Sequence, residues 1–402
     1  MDIYRGVHDE IKERLCKWAV SEPSGPVRMV FSLTERCNFK CLYCSGILIH
    51  GGIYPEELIK KENELSKKKW IKIAKEGAKL GVKHWSVLGG EPLLRYKTLL
   101  RMIKIIKKIS PESVIELNTN GWFLTPDIAK KLVLSECDLI QLSIDGSNAK
   151  THDFLRGRDG SFDRLVNAGK QLMFMKRKYG KEKPRVHVNT VINSRNYYEL
   201  PELASLAGSF EAEVFIANPM RVQSANIPWI KKENLELTKE QINQFPKIWK
   251  KVENIGKQHN IDVCNGIDVN VTPDEKTNEL HEEDKSKKVH SHEAVRSFLD
   301  AFCFGPFYSL AIGATGKVGS CASSITFLSP VNIREKSLKE IWYGNYFESA
   351  RKSMLNGETS LEECKTCGII TQRFNIRSQL SDLVSEKRPK IRTHRYGREL
   401  ET

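Results

Sequence analysis

Residues 27 to 46 read VRMVFSLTERCNFKCLYCSG, so an apolar run leads directly into a loop that holds Cys37, Cys41 and Cys44. The apolar run has the length and composition of a buried β-strand. Three cysteines do not complete the four-ligand shell of a structural zinc site, and a disulfide framework needs an even number. Three thiolates instead suit an iron–sulfur cluster in which one iron stays open for a ligand that is not protein.

Further apolar runs follow and alternate with helical patterns such as KWIKIAKEGAKLG and LTPDIAKKLVLS. Between residues 28 and 265 this alternation predicts parallel βα units. The fold class is therefore α/β, a partial (βα)6 TIM-like barrel whose chemistry lies at the carboxyl ends of the strands. The predicted strands are VRMVFSL, HWSVLGG, VIELNTNG, LIQLSIDG, VHVNTVIN and EVFIANP, with IDVCNG as a candidate seventh.

Composition divides the chain into a helical extension, the barrel, a charged linker, a small α+β module and a basic tail. In the module, YSLAIGATGKVGSC predicts two strands joined by a turn at Gly316. SLKEIWYGNYFESARKSML predicts one amphipathic helix with a serine at its start. In chain order, the segments are residues 1–27, 28–270, 271–299, 300–370 and 371–402.

Composition also limits the class of protein. The 402 residues are 40% hydrophobic, which allows a real core, and no apolar run approaches the ~20 residues of a membrane span. The charged N-terminus does not resemble a secretion signal, and ten cysteines in short spacings indicate metal ligands kept reduced, so we expect a cytoplasmic protein. The net charge of +14 comes largely from lysines on amphipathic segments, a pattern of solvated helices that predicts neither a membrane nor a nucleic-acid partner.

The order of the motifs resembles the radical S-adenosylmethionine (SAM) superfamily. CxxxCxxC follows the first predicted strand, GGEP ends the second, and TNG and SIDG end the next two. The resemblance covers residues 28 to 265 and implies that the three cysteines hold a 4Fe-4S cluster whose fourth iron is chelated by SAM. An electron from that cluster would split SAM into methionine and a 5′-deoxyadenosyl radical, which takes hydrogen from substrate carbon.

The resemblance implies roles for residues in the first two motifs. Tyr43, between the second and third cysteines, resembles the aromatic residue that packs near the adenine. Gly89, Gly90 and Glu91 of GGEP resemble the motif that receives the ammonium group of SAM. Glycines let the backbone approach closely, and an acidic group suits a cation.

Residues in later segments complete the predicted SAM site. Ser143 of SIDG lies where the family contacts ribose or carboxylate, and Asp145 either does the same or shapes the turn. Arg156 of HDFLRGRDG is the expected partner of the SAM carboxylate, because its guanidinium fork can bind one bidentately. Asn189 of VHVNTVIN either faces the barrel mouth or packs at the strand end.

The C-terminal module resembles the SPASM domain of many radical SAM enzymes, in its shortened twitch form. Its spacing is Cys, twelve residues, Gly, four residues, Cys, then CKTC, with no later cysteine. The resemblance implies one auxiliary 4Fe-4S cluster; a structural zinc ion on the same residues is the alternative. Four thiolates leave no open iron, which favours electron transfer or a structural role over substrate binding. The implied ligands are Cys303, Cys321, Cys364 and Cys367.

An oxidation is the reaction that this resemblance favours. Similar twitch enzymes include an aminocyclitol dehydrogenase, so we predict dehydrogenation of a small polyol, aminocyclitol, sugar or nucleotide-like substrate, with an external reductant of flavodoxin or ferredoxin type. Crosslinking or epimerising a ribosomal peptide is an alternative, although the residues before the first strand are few for a leader-binding domain. An iron–sulfur electron carrier without catalysis is a more distant alternative, because it would not need GGEP.

The remaining cysteines are Cys16, Cys137 and Cys264. The first two lie in apolar helical surroundings and are predicted to be buried without a chemical role. Cys264 is either a packed side chain, the preferred reading, or a strand-end thiol that returns hydrogen to a substrate radical, as in radical epimerases. Cys264 and Arg156 are therefore the candidate catalytic residues.

Overall fold

A nine-stranded sheet organises the part of the chain that the computed structural model describes, residues 4–19, 21–44, 61–220, 231–266, 301, 303–321 and 329–356. Its order is β7-β6-β5-β4-β3-β2-β1-β8-β9, and only the β8–β9 pair is antiparallel. The strands are β1 (Arg28–Ser32), β2 (His84–Leu88), β3 (Val114–Thr119), β4 (Leu139–Ser143), β5 (Arg185–Ile192), β6 (Val214–Pro219), β7 (Asp262–Asn265), β8 (Ser309–Ile312) and β9 (Val318–Gly319).

Helices connect the parallel strands, as βα units require. Short 3-10 turns at Lys61–Asn63, Pro92–Arg95 and Tyr197–Glu199 supplement them. No described helix is long and apolar enough to cross a membrane. The described helices are α1 (Arg5–Ala19), α2 (Lys67–Lys79), α3 (Tyr96–Ile109), α4 (Pro126–Val133), α5 (Ala149–Arg156), α6 (Ser161–Tyr179), α7 (Leu200–Ser209), α8 (Lys239–His259), α9 (Gly305–Tyr308), α10 (Leu338–Trp342) and α11 (Asn345–Leu355).

The parallel order confirms the predicted α/β class and the partial barrel. All six predicted strands form as β1 to β6, and IDVCNG forms β7. Each strand from β1 to β7 lies beside its successor in the chain, which is the arrangement that repeated βα units give. The carboxyl ends of these strands therefore meet at one edge of the sheet, where the predicted motifs lie.

The core on the outer face of the sheet forms where α2 packs closely against β1 and β2. Phe31 of β1 packs against Trp70 of α2, with 5.4 Å between the ring centroids. Trp85 of β2 is fully buried, and a Cβ added to Gly77 would lie only 2.6 Å from its indole. Glycine at this position lets the helix approach a large ring.

The C-terminal module continues the barrel sheet, because β8 pairs in parallel with β1. Its two predicted strands and the turn at Gly316, where φ is +96°, are confirmed. The single predicted helix is wrong. Helix α10 begins after the Ser337 cap and stops before Gly344, where an added Cβ would lie 2.4 Å from the Glu340 carbonyl oxygen, and α11 follows.

Helix α1, in the predicted N-terminal extension, is tied to the C-terminal module by one arginine. Arg351 is 1% exposed, and its guanidinium lies 4.5 Å from the ring centroid of Trp18 and 4.4 Å from that of Trp342. It donates hydrogen bonds to the carbonyl oxygens of Pro306 and Trp342, at 3.0 and 2.9 Å. The charged linker, the basic tail, Cys364 and Cys367 lie outside the described residues.

Candidate functional site

The three-cysteine loop leaves the carboxyl end of β1 and packs against the GGEP loop of β2. The amide of Gly90 donates to the carbonyl oxygen of Thr34, and that of Glu91 to Arg36, both at 2.8 Å. A Cβ added to Gly90 would lie 2.1 Å from the Arg36 carbonyl oxygen, and Gly89 has a φ of +131°. The glycines thus permit the close approach of the cysteine loop, and their expected contact with SAM stays a prediction.

Hydrogen-bond donors point at two of the three sulfurs. The Cys37 sulfur accepts from the Phe39 backbone amide at 3.4 Å and lies 3.9 Å from the side-chain nitrogen Nδ2 of Asn120. The Cys41 sulfur lies 3.7 Å from a terminal nitrogen of Arg156. Burial raises the pKa of the Cys41 thiol to about 11, although the nearby guanidinium acts to lower it. A bound metal would remove these protons, because metal coordination stabilises thiolates.

These residues fit a 4Fe-4S cluster. Burial is the main reason why the pKa of the Cys37 thiol is raised. Cys41 and Cys44 are near enough for their charges to raise it further. Donors aimed at ligand sulfurs stabilise the negative charge of such a cluster. Within the described ranges, no group of three or more histidine, cysteine or acidic side chains is gathered tightly enough to hold a single metal ion. Three thiolates can each bind one iron of such a cluster and leave the fourth iron open, whereas a structural zinc site needs four ligands.

Glu91 lies buried beneath the loop and joins β2 to β3. One carboxylate oxygen accepts from the Leu93 amide at 2.9 Å and the Thr119 hydroxyl at 2.8 Å, and the other from the Asn120 amide at 2.9 Å. Burial raises the pKa of Glu91 to about 7, and these hydrogen bonds oppose the rise. The second oxygen still has capacity for another donor. Glu91 therefore has a structural role in joining β2 to β3, and its predicted contact with the SAM ammonium group stays a prediction.

A buried polar network lies behind the loop. Asp145 is fully buried, accepts from the Tyr43 hydroxyl and, at 2.7 Å, from the Val191 amide, and forms an ion pair with Arg156. One terminal nitrogen of Arg156 faces Asp145 and the other faces Cys41, and the expected contact of Arg156 with the SAM carboxylate stays a prediction. The Asp145 carboxylate thus joins the cysteine loop, β5 and the end of α5. Tyr43 is 6% exposed and held by the same carboxylate.

The inner face of the barrel is polar where the strands end. Ser143 of β4 and Asn189 of β5 pair in register on this face and are half-buried. Asn189 accepts a hydrogen bond from Asn218 of β6 at 2.7 Å. Asn118 of β3 and Gln141 of β4 pair one step deeper. The sequence analysis did not single out Asn118, Gln141 or Asn120. Two signals could have found them: the TNG motif marks the end of β3, and the alternation of side chains along a strand gives the inward positions.

Cys264 is exposed on β7, opposite Ile216 of β6 in register. The preferred reading of a packed side chain is therefore wrong. Burial of part of the side chain and the charge of Asp262 raise the pKa of its thiol, so it stays protonated near neutral pH. Cys137 is fully buried, as predicted, whereas Cys16 is only half-buried against the core.

Cys303 and Cys321 converge on Gly305. A Cβ added to this glycine would lie 3.4 Å from the Cys303 sulfur and 4.0 Å from the Cys321 sulfur. Cys303 precedes β8 and Cys321 follows β9, so both lie at the amino end of β1, opposite to the three-cysteine loop. β1, which lies between the two sets, is five residues and ~17 Å long.

Two family models match the chain, the radical SAM superfamily over residues 31–206 and the SPASM iron–sulfur cluster-binding domain over residues 303–368. The chain is a radical SAM protein with a C-terminal SPASM-type domain. This confirms the resemblance drawn from CxxxCxxC, GGEP and the C-terminal cysteines. The two domains imply 4Fe-4S clusters and SAM as the cofactors.

The chain is similar to proteins that are named for different reactions. An AdoMet-dependent heme synthase of Methanosarcina barkeri is 26% identical over 80% of this chain and 84% of its own length. A PqqA peptide cyclase of Methylocella silvestris is 35% identical, but over only 35% of this chain and 34% of its own. The structure of Streptococcus suis SuiB bound to the precursor peptide SuiA has a TM-score of 0.59 at 17% identity, covering 89% of this chain and 73% of that one. This last similarity concerns the fold.

Proposed function

We propose that this radical SAM enzyme oxidises a neutral, polar substrate bound on the inner face of the barrel, and that a peptide is a better candidate than a small polyol. When bound, the clusters and SAM would supply a radical that takes a hydrogen atom and an acceptor for the electron that the substrate then gives up. A proton leaves to a base, so the substrate loses two hydrogen atoms in total. The initial electron comes from an external reductant of flavodoxin or ferredoxin type.

The positions of the two cysteine sets carry the proposed oxidation. The three-cysteine loop lies at the carboxyl end of β1, and Cys303 and Cys321 lie at its amino end, with the ~17 Å length of the strand between the two ends. The polar inner face runs between these ends. A substrate held there would have the hydrogen-abstracting group on one side and an electron acceptor on the other.

The polarity of the inner face supports a neutral substrate. Near the carboxyl ends of β3 to β6, the inward strand residues that the structure describes are carboxamides, a hydroxyl, apolar groups and one imidazole, His187, which pairs with Gln141 in register. A phosphorylated substrate would need cations there, which disfavours the nucleotide-like option. Carboxamides both donate and accept, so they match the amides of a peptide as well as hydroxyl groups. The inward carboxamides and hydroxyl are Asn118, Gln141, Ser143, Asn189 and Asn218.

The relatives favour a peptide over a polyol. The cyclase is named for a peptide, and SuiB was crystallised with one. The test is to reconstitute and reduce the protein without oxygen, add SAM, and screen short peptides against polyols for 5′-deoxyadenosine and for a product lighter by two hydrogen atoms. Oxidation of a polyol, with every peptide inert, would reject the peptide assignment.

A double variant tests the role of Cys303 and Cys321. Cys303→Ala with Cys321→Ala should keep cleavage of SAM, lose ~4 of ~8 irons and lose the oxidised product. Oxidised product formed at the normal rate would reject this set as the electron acceptor. A wild-type content of ~4 irons and one zinc would make the module a structural clip.

Epimerisation is the second candidate, because Cys264 is exposed on the inward register of β7. An epimerase must return a hydrogen atom to its substrate, and a thiol is a suitable donor. We expect Cys264→Ala to leave product formation intact. The measurement is product analysis in heavy water, with Cys16→Ala as a control. Solvent deuterium on a carbon of the wild-type product, together with loss of that product in the variant, would favour epimerisation.

A further inference from the structure

We propose that Arg156 sets the reduction potential of the cluster held by the three-cysteine loop. It would act as a positioning and charge-balancing residue, without a contact to the substrate. This inference goes beyond the proposed function, because it concerns how easily the cluster accepts an electron and holds for any substrate.

The contact that carries the proposal is buried. Arg156 ends α5 and is 9% exposed, and one terminal nitrogen of its guanidinium lies 3.7 Å from the Cys41 sulfur. Cys41 is itself buried. Little solvent can screen the charge at this depth, so the guanidinium acts on the sulfur far more strongly than a surface arginine would.

The backbone fixes this contact from both sides. The amide of Leu42, which follows Cys41, donates at 3.0 Å to the carbonyl oxygen of Leu155, which precedes Arg156. On the other side, Gly157 packs so closely on the loop that an added Cβ would lie 2.3 Å from the Lys40 carbonyl oxygen. The residues that flank the arginine thus touch the residues that flank the cysteine, which holds the donor at a set distance.

The charge on Arg156 is balanced by Asp145. This carboxylate is fully buried, forms an ion pair with the guanidinium, and accepts from the Tyr43 hydroxyl. Reduction adds negative charge to a cluster that thiolates already make negative. A cationic donor beside a ligand sulfur therefore favours the reduced state and raises the potential, whereas the nearby carboxylate lowers it.

Two substitutions should consequently have opposite effects. Arg156→Gln removes the cation and should lower the midpoint potential by at least ~59 mV, which is a tenfold fall in the equilibrium constant for a one-electron couple. Asp145→Asn removes the opposing anion and should raise the midpoint. The double variant should lie between the two single variants, because the two charges act on the same cluster.

The measurement is a redox titration of the intact reconstituted protein, followed by electron paramagnetic resonance at matched iron content. The relevant cluster is the one whose signal changes when SAM is added. Arg158→Gln is the control, because Arg158 is an exposed arginine two residues away that lies over the Trp122 ring. Its midpoint should match the wild type.

A merely structural role would lower iron content without moving the potential of the clusters that form. If Arg156→Gln and Arg158→Gln have the same midpoint at equal iron content, the proposal is wrong. If Arg156→Gln holds no iron, Asp145→Asn decides alone, and an unchanged or lower midpoint there would overturn the proposal. No substrate is needed, so the result is independent of which reaction the enzyme performs.

Discussion

At the residue scale, two glycines in the turn between α5 and α6 allow a matched test of how the cysteine loop is held. Gly157 and Gly160 have φ values of +59° and +73°, so alanine would be strained by a similar ~1–2 kcal/mol at either position. Only at Gly157 would the new Cβ collide with the loop, 2.3 Å from the Lys40 carbonyl oxygen; at Gly160 nothing lies within 4 Å.

We expect Gly157→Ala to lower the iron content of the three-cysteine site and to cost ~1–3 kcal/mol more stability than Gly160→Ala. The measurements are iron content and thermal unfolding of the two variants side by side. Equal losses in both would show that the packing of the turn on the loop is unimportant.

A second residue-scale prediction concerns His84, at the amino end of the inner face. It lies 3.0 Å from Glu116, which also accepts from the Tyr4 hydroxyl at 2.9 Å. Burial lowers the pKa of His84, although its hydrogen bond with Glu116 acts to raise it. As the pH falls below ~6.5, the ordinary pKa of histidine, the imidazole is therefore protonated in the unfolded chain before it is protonated in the folded protein. The stability of the fold thus decreases as the pH falls.

Wild-type stability should drop by ~1 kcal/mol per pH unit below ~6.5, and His84→Gln, which cannot titrate, should lack this component. The measurement is the free energy of unfolding in denaturant at pH 8 and pH 5.5. If the wild type gained stability relative to the variant on acidification, the folded protein would hold the imidazole protonated and the assigned direction would be wrong.

Single residues also mark the limit of what the sequence predicts. The cysteines and GGEP could be read because their chemistry lies in short, local spacings. The partners of Arg156 could not, because Asp145 precedes it by 11 residues and Cys41 lies 115 residues away. Cys264 was misjudged for a related reason: whether a strand-end thiol is packed depends on which strands neighbour it.

At the element scale, strands were more predictable than the boundaries of helices. Short apolar, β-rich runs and strand-end motifs located β1 to β7, because a run of this kind bounded by turn residues is typical of a buried strand. The break between α10 and α11 did not appear in the apolar pattern, since the same stripe continues across Gly344. That break depends on a backbone contact, which periodicity does not report.

The tie between α1 and the C-terminal module gives an element-scale prediction. Arg351→Met should keep most of the packing against Trp18 but leave the carbonyl oxygens of Pro306 and Trp342 without this donor. Unpaired buried carbonyls cost ~1–3 kcal/mol each, so we expect a loss of ~2–4 kcal/mol. Faster hydrogen exchange in α1 should accompany it.

The control is Arg101→Met, on the exposed face of α3, which should change stability by no more than ~0.5 kcal/mol. The measurements are the free energy of unfolding and hydrogen exchange by mass spectrometry. Similar small losses in both variants would mean that Arg351 does not join the helix to the module.

At the scale of the whole molecule, barrel and C-terminal module form one sheet through the β1–β8 pair. Composition suggested a boundary near residue 300, but composition does not show which strands pair. The shared sheet explains how one substrate could face both cysteine sets, since β1 has the first set at one end and the second at the other. The reaction and substrate proposals depend on this arrangement.

The central claim is that Cys37, Cys41 and Cys44 build the cluster that cleaves SAM. The most direct measurement is 5′-deoxyadenosine formation by a triple alanine variant, reduced and supplied with SAM, with iron content determined on the same sample. We predict no 5′-deoxyadenosine and the loss of ~4 irons, while the irons of the other cluster remain. Continued formation of 5′-deoxyadenosine by the triple variant would contradict the claim.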